Sequence, residues 1–436
     1  MKKLALLVLV SLFLVASCTP APGITPRPPA TAAPSPSPQS TLAPSITATI
    51  SPPTPDPSTQ ATVAFTKSPA AECIVEPLVP VLDPDEVKLP PEEEADWSYG
   101  ASSPVVTIVS YCNYQRSACR ALTTSLAELQ QRYPQGVRVV LRQYPQPQVY
   151  DKSLIAAYAA EAAGVENDFW EMNDLLYSRQ AEWTSLAADA FVAWLMEASP
   201  SYSIDPVQLQ LNMESTEVSE RVNDVLDAAA PLSITATPVL FFNNLQVKTR
   251  VTTESLAELV EYFLLPEKAF SECPPMVIDP QKTYRASFET EKGGIVFELF
   301  PQAAPVAVNS FVFLARQGWY DDTSFFRVIP GFVVQGGDPS GSGLGGPGYV
   351  FSNEVDPELR FNAAGQLALT HTSGDMNGSQ FFITYTALPE LDGQFTIIGR
   401  VIEGSNVLNS LRPRNPESDE ILLPADRLIK VTIEEE

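Results

Sequence analysis

Residues 324–348 read SFFRVIPGFVVQGGDPSGSGLGGPG. Two short apolar runs, each closed by proline or glycine, cannot continue as a helix. They read as short strands joined by turns. The same texture extends both ways. YRASFETEKGGIVFELF (284–300) reads as a hairpin turning at Lys292-Gly293-Gly294, and AAPVAVNSFVFLARQGW (303–319) as a helix with a proline near its start. Short strands then alternate with glycine-rich loops to the C-terminus. Residues 280–436 therefore read as a mainly-β closed barrel with capping helices. GSGLGGPG (341–348) lacks the lysine and the following helix of a phosphate-binding loop, so it reads as a barrel loop.

Upstream, residues 73–273 have a different order. PVVTIVSY (104–111) reads as a buried strand, SACRALTTSLAELQQRY (117–133) as a helix, and GVRVVLRQYP (136–145) as a second strand. A helical stretch follows, from SLIAAYAAEAAG (153–164) through DFWEMNDLLYSRQ (168–180) to EVSERVNDVLDAAA (217–230). SITATPVLFFNN (233–244) returns to a strand, introduced by Thr237-Pro238, and TTESLAELVEYFLL (252–265) closes with a helix. This is an α/β order with a helical insert. CPPMVIDPQ (273–281), with three prolines, links the two regions.

The N-terminus belongs to neither. MKKLALLVLVSLFLVASC (1–18) has two lysines and then an apolar run too short to span a bilayer, the pattern of a secretory signal. Residues 19–72 are dominated by Pro, Thr, Ser and Ala and are too poor in apolar side chains to build a core. At ~3.1 Å per residue, some fifty extended residues reach on the order of 100–150 Å, which suits a disordered spacer. The chain of 436 residues has a net charge of -25, which argues against a nucleic-acid partner. One histidine and no cysteines in ligand spacing argue against a metal, and no cofactor motif is present.

VASC, ending at Cys18, resembles the bacterial lipoprotein lipobox. The resemblance implies lipidation at Cys18, a membrane anchor through that lipid, and an extracytoplasmic place in a bacterial cell envelope. Of the five cysteines, Cys73, Cys112, Cys119 and Cys273 then remain, which allows two disulfides in three connectivities. Cys73 and Cys273 bracket the α/β region and are candidates to clamp its ends. Cys112–Cys119 is a candidate for the second bridge.

SYCNYQRSAC (110–119), DFWEMNDLLY and ITATPVLFFNN (234–244) resemble bacterial disulfide oxidoreductases of the DsbA type. That implies a thioredoxin-like fold with a helical insert and a cis bond at Pro238. Laid on the family's Y-x-D-Y-Q-C-x-x-C pattern, Asn113 takes the acidic position, Cys119 the second cysteine, and Arg116 the place of the nucleophile. A guanidinium cannot attack a disulfide, so ordinary exchange through C-x-x-C is closed. Three readings stay open: a structural Cys112–Cys119 bridge, residual redox activity by that pair, and a domain that only binds clients.

SFFRVIPGFVVQGGDPSGSGLGGPG, NGSQFFIT (377–384) and LDGQFTIIGRV (391–401) resemble cyclophilin-type peptidyl-prolyl isomerases, from about Tyr284 to the end. The resemblance implies that Arg327 is the catalytic arginine, acting with Phe332, Gln335, Phe382 and Leu391. Val333, Thr370, His371, Gln380 and Phe395 complete the substrate contacts. Val333 stands where a methionine is usual and Phe395 where a histidine is common. Glu390 replaces a tryptophan that helps bind the family's cyclic-peptide drug, so drug binding is expected to be weak. Unfolded or proline-containing polypeptides are the expected partners. The competing readings are a non-catalytic chaperone and a thiol–disulfide oxidoreductase using Cys112 and Cys119.

Overall fold

The computed structural model describes residues 72–76, 78, 89–93, 96–419 and 422–436. Cys18, the signal-like segment and the proline-rich stretch lie outside them. Among the described residues no helix is long and apolar enough to cross a membrane.

The strands are β1 (Cys73–Val75), β2 (Trp97–Gly100), β3 (Val106–Cys112), β4 (Val137–Gln143), β5 (Val239–Phe242) and β6 (Leu245–Val247), followed by β7 (Tyr284–Thr290), β8 (Gly293–Leu299), β9 (Thr323–Ser324), β10 (Arg327–Val328) and β11 (Val333–Gly336). The last five are β12 (Tyr349–Ser352), β13 (Gln366–Ser373), β14 (Met376–Thr384), β15 (Ile397–Glu403) and β16 (Arg427–Glu435).

The first domain is a five-stranded sheet in the order β2-β4-β3-β5-β6. Strands β3 and β4 are parallel, from Val106 opposite Val137 to Cys112 opposite Gln143. A parallel pair needs a crossover, and helix α1 (Ser117–Arg132) supplies it. Its buried residues Cys119, Leu122, Ser125, Leu126 and Leu129 form one stripe at helical spacing. The insert between β4 and β5 carries α2 (Ser153–Val165), α3 (Phe169–Ser178), α4 (Gln180–Trp183), α5 (Ala188–Ala198), α6 (Pro206–Met213) and α7 (Thr216–Ala229). Helix α8 (Thr253–Leu264) closes the domain; its N-cap Thr252 accepts from the Ser255 N–H at 3.2 Å. Strand β3 is buried at six of seven positions because apolar clusters cover both faces of the sheet.

The second domain is a curled antiparallel sheet with the path β1-β12-β14-β13-β15-β8-β7-β16-β9, with β10 and β11 branching from β14. Helices α9 (Pro305–Arg316) and α10 (Ser405–Leu408) accompany it. Pro305 is the first residue of α9, where its missing N–H costs nothing. The β7–β8 hairpin forms as expected, but one step earlier: Thr290 pairs with Gly293, so Glu291 and Lys292 make the turn and Gly293 opens the second strand.

Two expectations about the cysteines change. Cys73 and Cys273 are joined by a disulfide, yet they do not clamp the first domain. Strand β1 pairs with β12 of the second domain, Cys73 opposite Phe351, and both cysteines pack on that domain's core. The boundary is sharp: Leu264 packs on the first core, whereas Leu265 belongs to the second. Cys112 and Cys119 are not bridged but are free, buried thiols. The Cys119 sulfur accepts from the Asn113 N–H at 3.3 Å and from the Cys112 thiol, so a hydrogen-bonded pair takes the place of the expected bond.

Candidate functional site

Strand β10 is two residues long, and its register places the site. Arg327 lies opposite Gln335 and Val328 opposite Val334. Strand β11 in turn sets Gln335 opposite Phe382 and Val334 opposite Ile383 on β14. Strand β13 adds Ala368 opposite Phe382 and Leu367 opposite Ile383. Side chains alternate across a sheet, so Arg327, Gln335, Phe382 and Ala368 share one face. Val328, Val334, Ile383 and Leu367 point into the main core on the other.

On the Arg327 face lies a second, separate apolar cluster. Phe332, Val333, Phe361, Ala368, Phe382, Leu388, Leu391 and Ile397 form it, with Ile329 and Phe395 at its edge. Its rings are ordered: Phe361 stacks on Phe382 at 5.6 Å, and Phe395 meets Phe382 edge-on at 5.3 Å. An apolar cluster beside a cation suits a small ring carried on a polar backbone.

Arg327 is 3% exposed, and its Nη1 donates to Gln335 Oε1 at 3.3 Å. Burial lowers its pKa, and the Glu417 charge works against that shift. A guanidinium retains its proton at neutral pH even so. The group is a fixed, partly desolvated donor with little freedom to follow solvent.

Beyond Phe395 the rim is polar. His371 stacks on Phe395 at 4.6 Å, and its Nε2 lies 3.1 Å from the Gln394 carbonyl oxygen and 2.8 Å from Asn353 Nδ2. Burial lowers its pKa, which favours the neutral imidazole. Asn353 Oδ1 accepts from Asn377 Nδ2 at 3.0 Å and from the Thr396 hydroxyl at 3.1 Å. His371 is thus tied into a network and is no loose loop residue.

Gln380 stands differently from its neighbours. Its Nε2 donates to the carbonyls of Gly343 and Gly345, both at 2.9 Å. Its amide hydrogens therefore hold the glycine loop, leaving the carbonyl oxygen as its remaining polar group. The loop is wound on Asp338, whose carboxylate accepts from the N–H groups of Ser340, Gly343 and Gly345 at 2.9, 2.7 and 3.1 Å. A Cβ at Gly345 would lie 2.1 Å from Asp338 Oδ1, so only glycine fits.

The structure thus gathers Arg327, Phe332, Val333, Gln335, Phe382, Leu391, Phe395 and His371 in one place. Thr370 is buried on β13 at its bulge, beside His371. Sequence reasoning missed Phe361, Ala368, Leu388 and Ile397. Phe361 and Leu388 come from irregular segments with no periodic signal, whereas Ile397 lies in FTIIGRV and was within reach of an alternation count.

In the first domain the peptide bond Thr237–Pro238 is cis. Arg116 is the N-cap of α1 and donates to the Tyr150 hydroxyl at 2.9 Å. Burial pushes the Cys112 thiol well up. Burial acts upward on Cys119 too, but hydrogen bonds from Cys112, the Asn113 N–H and Thr237, with the Arg116 charge, bring it down.

Known proteins resemble this chain in two places. A family described as thioredoxin matches residues 92–262, and one described as cyclophilin type peptidyl-prolyl cis-trans isomerase matches residues 285–433. A peptidyl-prolyl cis-trans isomerase-like 1 of Gibberella zeae is 40% identical over 151 residues, covering 34% of this chain and 93% of the relative. A peptidyl-prolyl cis-trans isomerase of Helicobacter pylori is 41% identical over 149 residues, covering 31% of this chain and 91% of the relative. A crystal structure of a Cryptosporidium parvum cyclophilin type isomerase has 35% sequence identity, covers 35% of this chain and 98% of its own, and gives a TM-score of 0.33. Two domains are therefore joined here, a thioredoxin-like one and, through residues 285–433, one that makes this chain a member of the cyclophilin-type peptidyl-prolyl cis-trans isomerase family.

Proposed function

We propose that the isomerase domain acts on extracytoplasmic polypeptides, with Arg327 as the donor that favours the twisted amide. Rotation about X–Pro faces a barrier of ~18–20 kcal/mol because the amide is conjugated. In the twisted form conjugation is lost and the prolyl nitrogen regains its lone pair. A fixed donor aimed at that unit stabilises the twisted form more than either planar isomer. Phe332, Val333, Phe382, Leu391 and Phe395 hold the proline ring, in a sheet we take to close as a barrel around the main core. Gln335, His371, Thr370 and the Gln380 carbonyl hold the flanking backbone. No proton is transferred and no covalent intermediate forms.

The observation that carries this reading is the shared face of β10, β11 and β14, which sets Arg327 and Gln335 beside Phe382. The test is cis–trans exchange of a short Ala-Pro peptide, read by NMR with the full chain. Acceleration by the wild type that disappears in Arg327→Ala is expected. Acceleration unchanged in Arg327→Ala would leave the pocket without its assigned donor.

We read the thioredoxin-like domain as redox-inactive and client-binding. Its two free thiols are buried, and Arg116 holds the start of α1. A cleft of about 1010 Å³ runs beside Pro238 and the edge strand β6, with room for an extended chain. Insulin reduction above background by the full chain would instead favour the oxidoreductase reading. Lipidation at Cys18 and an extracytoplasmic anchor complete the proposal; loss of membrane association in Cys18→Ala, followed by cell fractionation, is the expected result.

A further inference from the structure

The first domain meets the second where Arg327 is held. Arg414 lies between α10 and β16, with its side chain 1% exposed. Its backbone makes a two-bond bridge to Val328: Val328 N–H donates to the Arg414 oxygen at 2.7 Å, and Arg414 N–H to the Val328 oxygen at 2.9 Å. Its guanidinium donates from Nη1 to the Phe326 carbonyl, and from Nε to the Leu423 carbonyl at 2.9 Å. Phe326 and Val328 are the chain neighbours of Arg327, so Arg414 grips the backbone on both sides of it.

The third arm of Arg414 leaves the domain. Nη2 donates to Oε1 of Glu258, on α8 of the thioredoxin-like domain. A second residue of that domain holds the same segment. Arg250 donates from Nη1 to the Pro416 carbonyl at 2.8 Å and from Nη2 to the Asp419 carbonyl. Residues 414–419 are thus clasped at both ends from the neighbouring domain, and between the clasps lies Glu417, the acid whose charge acts on Arg327.

A buried guanidinium bound only to carbonyl oxygens would be an uncompensated charge. Among the described hydrogen bonds of Arg414, Glu258 is the only carboxylate. We propose that Glu258 and Arg250 are positioning residues of the isomerase: acting through Arg414 and its segment, they fix the strand that presents Arg327. The thioredoxin-like domain is then a working part of the isomerase site. This rests on the reading of Arg327 as the donor to the twisting amide.

The clasp responds to protons. Burial raises the Glu258 carboxyl to about 7; the Arg414 charge pulls it back, and Asp338 and Glu254 push it up. Arg250 and Asp419 are the other charges acting on Arg414. As pH falls through about 7, Glu258 takes up a proton and a charge-assisted hydrogen bond becomes a weaker, ordinary one.

The test is the same peptide exchange, with kcat and KM resolved between pH 5.5 and 8.5 for full-length wild type, Glu258→Gln, Arg250→Met and Arg327→Ala. Wild-type kcat should rise through pH 7 with KM steady. Glu258→Gln keeps the shape and an acceptor; its kcat should stand about tenfold below wild type at pH 8, since small misplacements cost such factors. Its step near pH 7 should vanish, and Arg250→Met should lower kcat less. Wild-type kcat and a wild-type profile in Glu258→Gln would overturn the proposal, as would a change confined to KM. Were Glu258→Gln unfolded by circular dichroism, unchanged kcat in folded Arg250→Met would overturn it. Full activity in Arg327→Ala would sink the underlying reading instead, a distinct outcome.

Discussion

Each domain places an arginine at its candidate site, with opposite consequences. Arg116 caps α1, half-buried, and reaches the Tyr150 hydroxyl. Arg327 is buried beside an apolar cluster and bonded to Gln335. On our reading Arg116 closes one chemistry and Arg327 performs another. Thiol exchange depends on one atom, a nucleophilic sulfur, and no arrangement of neighbours replaces it. Amide isomerisation depends on a donor and a shaped pocket, which many neighbours share. On that reading a site built on a covalent step is lost by a single substitution, while one built on geometry is expected to tolerate changes such as Val333, Glu390 and Phe395.

The contrast can be broken at four points. The largest effect belongs to Arg327→Ala, which should lower kcat for Ala-Pro exchange by ~10²–10³-fold, the range for losing one transition-state donor. Next comes the dependence of stability on pH through Glu258. Its carboxyl is raised in the folded chain, so the stabilisation it brings is full below its ordinary value and is lost as pH rises through about 7. Wild type should lose up to about 3 kcal/mol on this account between pH 5 and 8, and Glu258→Gln should not. Urea unfolding at both pH values decides it. The clasp is then tightest where it is least favourable overall, since an ionised buried pair gains order at a cost in desolvation.

Arg116→Cys recreates a C-x-x-C with Cys119 at the start of α1. Insulin reduction about tenfold above the wild-type rate is expected, because a helix N-terminus favours the thiolate. No gain would mean that the first domain lacks more than one atom. The smallest effect is that of Cys119→Ser. It should shift the unfolding midpoint by the equivalent of about 1 kcal/mol and leave isomerisation untouched.

Periodicity made most elements legible. The strand at 104–111, the helices at 117–133 and 252–265, and the hairpin at 284–300 all stand close to their expected places. In the site, the long motifs around Arg327, Phe382 and Leu391 carried the residues together. What stayed hidden depends on distant partners. Cys73–Val75 is too short to read as a strand, and its ladder lies on β12, far along the chain. The Cys112–Cys119 pair is close enough to invite a bridge, but sequence does not give the hydrogen bonds that pair the two free, buried thiols without one. Arg414 sits in LRPRNPESD, a polar loop by any local measure, and only the fold reveals that it is buried between Glu258 and Phe326.

The disulfide at Cys73 also sets a mechanical route. A pull on the chain ahead of residue 72 reaches β1 first, and there it meets a three-residue ladder to β12 and a covalent crossing to Cys273. From Cys273 the path continues directly into the isomerase domain. The two hundred residues of separation between the cysteines, which hold the whole thioredoxin-like fold, form a side branch that carries no tension. Whatever tugs at the N-terminus therefore loads the isomerase sheet, and the first domain hangs beside the line of force, held by its clasp on residues 414–419.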